Sequence, residues 1–402
     1  MKDLSKRRMS PLPALVFVVA IVVGLPMVLA EDWPCYRADA IHSGRSTETL
    51  DLPLAADWVY VPKQAPRPAW PEPVVETNRV DFDVVFEPVI SNGLVLFGSS
   101  ADDCVRALDL KTGKLVWRFI TGGPVRLAPA IYDGAAYITS DEGILYCVNL
   151  ADGALRWSYR PLKSRRYVIG ANRMISRWPL RSGVLVDDGV VYVTAGMWPS
   201  EGIFVCALDA RTGTEIWVTD TCGAMFLPQA HNSVGMTGVA PQGYMAASEG
   251  LLVVACGRTV PAAFDRSDGK LVHFLMGEHR LWGGSWISIE PAKSHILCGY
   301  GVRSCEIDLQ TGARTGSDWK NPQFVQTQPP HTIRAGNVTI RSQEGGIAAF
   351  EDQDKLIWQQ DIAGNTHGLA VADGRLIVST VDGRLYCFAA QQGQTELNTI
   401  EY

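Results

Sequence analysis

Short apolar runs, each opened by a turn with Gly, recur along this chain: ISNGLVLFGS, IYDGAAYITS, LVDDGVVYVTAG, ASEGLLVVACG, RAGNVTIRS and VADGRLIVSTVDGRLYCF. Runs of this length, rich in Val, Ile and Tyr and bounded by turn residues, predict strands joined as hairpins. Between them a second pattern recurs: a small residue, an apolar one, an acidic one, two variable ones, Thr or Asp, Gly, and then an aromatic. Clear copies run Ala107 to Trp117, Cys147 to Trp157 and Ala207 to Trp217, and weaker ones start at Ala263, Glu306, Ala349 and Cys387.

The chemistry of the pattern accounts for its spacing. Asp109, Asn149, Asp209 and Asp265 can accept hydrogen bonds from the amides that follow, and Gly113, Gly153, Gly213 and Gly269 supply the positive φ of a tight turn. The turn launches Trp117, Trp157, Trp217 or Trp358 into the next strand, where its large area can fill the gap to a neighbouring unit. Copies spaced at about 40 to 60 residues suit the radial blades of a propeller, at ~40–50 residues each, better than hairpins of a sandwich. The predicted fold is all-β: a single β-propeller of four-stranded antiparallel blades. Seven blades count directly, and the two longest intervals leave an eighth open. The strand around Trp58 is expected to join the last unit and close the ring.

At the N-terminus, Lys6, Arg7 and Arg8 precede an apolar run from Ala14 to Ala30, with Val28 and Ala30 before Glu31. This predicts a secretory signal peptide over 1–30 and a periplasmic or extracellular protein. An uncleaved helix anchoring the chain is the alternative, since the run reaches the short end of membrane-spanning lengths. If the leader is cleaved, no stable membrane span remains. A lead-in segment then covers 31–57, the propeller 58–397, with insertions at about 160–182 and 222–244, and a tail 398–402. A hydrophobic content of 47% with 19% charged residues fits a well-buried core. A net charge of −6 argues against nucleic acid as a partner. Nine cysteines are an odd number for an oxidising compartment, so at least one is unpaired or paired between chains. Cys147 and Cys387 occupy the small-residue slot of the repeat and read as buried fillers.

Candidate chemistry concentrates in the insertions. Arg165, Arg166, Arg173 and Arg181, with Trp178, form a dense basic stretch that could grip an anion over the propeller funnel. The same residues could instead pair with carboxylates and stack on Trp. His231 and Gln242 lie in the second insertion and could line a polar site, though a single His there is more often a hydrogen-bonded loop residue. Arg258 sits at a proline bend, where it could pair with Asp265 or face the funnel. Trp282 belongs to a Gly-rich turn that could stack on a ring or be buried between blades. No metal site is predicted, catalytic residues are unassigned, and no nucleophile-elbow, zinc-protease, phosphate-loop or EF-hand string occurs.

With these repeats in view, the chain resembles the PQQ-type (pyrroloquinoline-quinone-type) β-propeller repeat proteins, a group that includes quinoprotein dehydrogenases and the outer-membrane assembly propeller lipoprotein. DWPCYRADAIHSG, RRYVIGANRMISRWPLR, AGMWPSEG, PQGYMAAS and CGRTVPAAFDR are similar to an exported planctomycete-type subgroup. The resemblance implies either of two functions. One is a non-catalytic binding or scaffold propeller of the periplasm or cell envelope, docking a protein or polysaccharide as a monomer and without a cofactor. The other is a quinoprotein oxidoreductase acting on an alcohol or sugar with PQQ and calcium. A catalytic member is expected to carry adjacent cysteines, which this chain lacks. A hydrolase or lyase built on an Arg of the insertion beside a perturbed carboxylate is a third reading. The non-catalytic reading leads.

Overall fold

The computed structural model describes residues 31–401 apart from 71–79, 81, 171, 230–232, 258, 277–283, 301–302, 316–330, 353 and 392–396. Among the described residues it is a seven-bladed all-β propeller without an α-helix. Blade 1 consists, from the inside out, of Val89–Ser91, Leu94–Ser99, Cys104–Asp109 and Leu115–Ile120; blade 2 of Ala130–Tyr132, Ala135–Ser140, Ile144–Asn149 and Leu155–Tyr159. Blade 3 holds Leu185–Asp187, Val190–Ala195, Phe204–Asp209 and Glu215–Thr219; blade 4 holds Ala246–Ser248, Leu251–Cys256, Thr259–Asp265 and Leu271–His273. Blade 5 shows three strands among the described residues, Trp286–Glu290, His295–Tyr300 and Arg303–Asp308. Blade 6 is Thr332–Ala335, Val338–Gln343, Gly346–Glu351 and Lys355–Asp361. Blade 7 combines Thr366–Ala372, Arg375–Thr380 and Leu385–Ala390 with Leu54–Val61 from the other end of the chain, so the ring closes by strand exchange between its termini. Asn398–Glu401 adds a parallel strand outside it.

The repeat turns work as local clamps. Asp109 Oδ1 accepts from the Thr112 amide at 2.8 Å and the Thr112 hydroxyl at 2.7 Å, and Asp209 with Thr212 and Asp308 with Thr311 repeat the arrangement. The aromatic that follows packs against the turn glycine of the next blade. A Cβ on Gly153 would sit 2.7 Å from the Trp117 ring, on Gly213 2.7 Å from Trp157, and on Gly269 2.3 Å from Trp217. Trp117 Nε1 also donates to the Leu150 carbonyl and Trp217 Nε1 to that of Arg266, both at 2.8 Å. The missing Cβ therefore makes room for the plug between blades.

Alternation of strand direction fixes two faces. Within-blade turns such as Gly93 and the Asp-Thr-Gly turns lie on one face. The crossovers that feed each innermost strand lie on the other, with the loops linking the second and third strands. Both insertions are crossovers. The first forms the hairpin Tyr167–Gly170 with Arg173–Ser176, the second Met225–Pro228 with Val234–Thr237.

Candidate functional site

On the turn face, residues 31–48 curl around the inside of the ring and plug it. Trp33 pairs with Ile90 of blade 1 through two 2.8 Å backbone bonds, and the Ile131 amide of blade 2 donates to Pro34 at 2.7 Å. Ala247 of blade 4 donates to Ala40, Ile289 of blade 5 to Ile41, and Arg334 of blade 6 to Gly44. The Gly374 amide of blade 7 donates to Glu48. The curl closes on itself, since the Glu31 amide donates to Glu48 Oε1 at 2.7 Å and the Glu31 carboxylate receives Ser46 and Thr47. Such tight curvature puts Arg37 (φ 55°), Ala38 (77°) and His42 (56°) in the left-handed region, which is sparsely populated without glycine. Hydrogen bonds to six blades hold them there.

Side chains from this curl fill the channel. Tyr36 stacks on Tyr244 at 3.6 Å and 7°, and His42 meets Tyr36 edge-on at 5.0 Å. Arg37 donates to the carbonyls of His42 (3.1 Å) and Thr332 (3.0 Å). Burial drives His42 down to about 3 and pushes Glu87 up to about 8, the latter only partly opposed by Arg37. His331 and His367, rings 4.7 Å apart, are lowered to about 4 and about 3, mainly by burial.

At the crossover face the channel mouth holds a chain of four charges with side chains no more than 2% exposed: Asp83, Arg126, Asp141 and Arg181. Arg126 binds Asp83 at 2.8 Å and Asp141 at 2.6 Å; Arg181 binds Asp141 through Nε and Nη2, each at 3.1 Å. The two carboxylates differ in consequence. Burial raises Asp83, and Arg126, the Ala69 amide and the more distant Arg181 do not reverse that; burial works on Asp141 as well, but Arg181 and Arg126, both bonded to it, hold it below its ordinary value. Asp83 Oδ2 also caps the Ala69 amide, which ties the segment leading into blade 1 across the mouth. Trp70 of that segment donates to Gln242 at 2.7 Å and lies 6.0 Å from the Arg181 guanidinium.

The sequence candidates separate accordingly. Arg181 and Gln242 meet at the mouth through Trp70. Arg173 pairs with Asp103 and leans the first hairpin back onto blade 1. Trp178 is buried, with its indole donating to the Glu201 carbonyl at 2.7 Å. Arg165 and Arg166 stand exposed at the root of the hairpin. Asp265 is engaged by Ser267 within its own turn. His231, Arg258 and Trp282 lie outside the described residues. Sequence reading passed over Asp83, Arg126 and Asp141; a signal was present in an arginine between Val125 and Leu127 and an aspartate directly after the apolar strand Ala135–Ser140. Among the described residues, no group of three His, Cys, Asp or Glu side chains is arranged to hold a metal ion.

The crossover face also carries an apolar ridge. Ile169 and Met174, paired across the first hairpin, are 85% and 69% exposed; Phe226 and Met236, paired across the second, are 68% and 65% exposed. Trp198 stands between the hairpins, beside a cleft of about 580 Å³ shared with Tyr167, Arg166 and the Arg177–Glu201 ion pair. No helix among the described residues is long and apolar enough to cross a membrane.

A family profile described as outer membrane protein assembly factor BamB matches residues 101–274 and 301–399. The BamB of Yersinia pestis is 29% identical over 140 residues, which cover 34% of this chain and 33% of that protein. The quinohemoprotein alcohol dehydrogenase ADH-IIG of Pseudomonas putida is 34% identical over 97 residues, 24% of this chain and 12% of the enzyme. These matches thus span a third or less of the relatives' length. The crystal structure of quinohemoprotein alcohol dehydrogenase from Comamonas testosteroni superposes with a TM-score of 0.55 at 13% identity, covering 91% of this chain and 81% of that one, a likeness of fold.

Proposed function

Since the chain belongs to the repeat-propeller family described as outer membrane protein assembly factor BamB, we propose that it is an exported, non-catalytic docking propeller of the cell envelope whose partner is a protein. The observation that carries this reading is the pair of hairpins with cross-strand apolar pairs facing solvent. An isolated two-stranded hairpin is only marginally stable, and large apolar side chains grouped in the open on a folded protein mark an interaction surface. The ring beneath supplies rigidity, and the ridge supplies aromatic and Met side chains of the kind enriched at interfaces.

The relation to quinohemoprotein dehydrogenases raises a PQQ-dependent reading, which the residues support less well. Arg126 and Arg181 at the mouth are already bound by carboxylates and Arg37 by carbonyls, so a quinone's carboxylates would have to break those bonds. Site-specific photo-crosslinking from Ile169 and Phe226 in the native envelope, with Thr112 on the opposite face as control, tests the proposal. A single protein adduct at both hairpin positions but not at the control supports docking. Equal labelling at all three positions, or none, defeats it. Saturable binding of PQQ with calcium near one equivalent by calorimetry would move the enzyme reading ahead.

A further inference from the structure

We propose that Cys298 and Cys305 form a cross-strand disulfide that staples blade 5. The two residues stand directly opposite in the antiparallel pair of His295–Tyr300 with Arg303–Asp308, and their sulfurs are 3.3 Å apart. Directly opposed residues of an antiparallel pair have Cα atoms ~4.5–5.5 Å apart, inside the ~4.4–6.8 Å that a disulfide spans. Among the described residues no other two cysteines share a cross-strand register position. Cys104 faces Ser99 and Ile120, Cys147 faces Tyr137 and Trp157, and Cys206 faces Val193 and Val218.

Arg303–Asp308 is the outermost strand of blade 5 among the described residues. A covalent link from Cys298, fully buried, to Cys305 ties that strand to the core.

The step is an ordinary thiol–disulfide exchange with a low-molecular-weight disulfide as oxidant. Cys305, 7% exposed and lowered from its ordinary value by the hydrogen bond from Cys298, attacks one sulfur of the oxidant as the thiolate and releases one thiol. Cys298 loses its proton and attacks Cys305 Sγ, expelling the second thiol. The two cysteines give up two electrons and two protons, and the oxidant becomes two thiols.

The test is non-reducing peptide mapping of the full chain after incubation with oxidised glutathione, with alkylation under denaturing conditions. The expected result is a linked peptide joining Cys298 to Cys305, alkylation of the remaining cysteines, and a denaturation midpoint that rises on oxidation and returns with dithiothreitol. Cys298→Ala and Cys305→Ala each abolish that rise. Full alkylation of both residues in the oxidised wild-type protein, or their linkage to other cysteines, overturns the pairing without depending on any variant folding. A linked peptide with an unmoved midpoint overturns the stapling role.

Discussion

The Trp58 indole lies over Gly113, where a Cβ would stand 2.7 Å from the ring, and donates to the Leu110 carbonyl at 3.0 Å. Trp58 is in the strand that completes blade 7 and Gly113 is in the turn of blade 1, so this contact is where the ring closes. Trp58→Ala is expected to cost about 3–5 kcal/mol by cavity formation, whereas Trp58→Phe, which keeps most of the ring area, loses about 1 kcal/mol with the hydrogen bond. Chemical denaturation of the two variants side by side checks the order; equal losses would mean that the ring does not fill the seam.

Asp141 is the shared partner of two buried guanidiniums. Asp141→Ala leaves both without it and is expected to cost about 3–5 kcal/mol, the range for breaking a buried ion pair from one side. Denaturant unfolding measures it, and a loss under about 1 kcal/mol would show that water compensates the pair, as at exposed ones.

Gly44 has φ +64°, and a Cβ there would run into the Arg37 guanidinium at 2.2 Å. Gly44→Ala should unseat this part of the plug. Hydrogen exchange is expected to show faster exchange at the amides of Ile289 and Arg334, which bond to the curl, with no change at Thr112 on the outer rim.

The turn carboxylates of Asp109, Asp209 and Asp308 are lowered, first by the hydroxyls of Thr112, Thr212 and Thr311 and then by backbone amides. A folded pKa below the unfolded one means stability that is present above the unfolded value of ~3.9 and is lost as pH falls through the folded one. Carboxylate titration by NMR should place all three below that value, and Thr112→Val should raise Asp109 alone.

Ile169→Asp with Phe226→Asp alters side chains that are mostly solvated. Stability is expected to stay within about 0.5 kcal/mol, as for surface sites without special contacts. Crosslinking to the envelope partner, read from Trp198, should fall away. A drop in stability of several kcal/mol would identify the hairpins as part of the core instead.

The blades were legible because their determinants are local. Asp109, Thr112, Gly113 and Trp117 sit within one turn and one strand, and closely similar chemistry recurs in the clear copies. Their count fell out as seven because the long intervals hold crossover hairpins rather than another strand set. The channel mouth was not legible, since Asp83, Arg126, Asp141 and Arg181 arrive from four separate segments and only the closed ring brings them together. Residues 31–48 have no periodicity of their own. Their conformation is dictated by amides on the blades they touch, so nothing in their spacing announces a plug.

That plug carries a consequence for the order of events in a newly made chain. Its hydrogen-bond partners are distributed over nearly all of the following sequence, and Leu54–Val61 waits for Leu385–Ala390. The segment synthesised early is therefore seated late. Maturation cannot advance steadily from the N-terminus, and contacts of such long separation make for slow closure. Until then the inner strand edges stay open to foreign strands, the interval in which a chaperone would have most to do. Pulse-labelled exchange during refolding should find the Ile131, Ala247 and Ile289 amides among the last to gain protection; early protection there would place the plug at the start of folding instead.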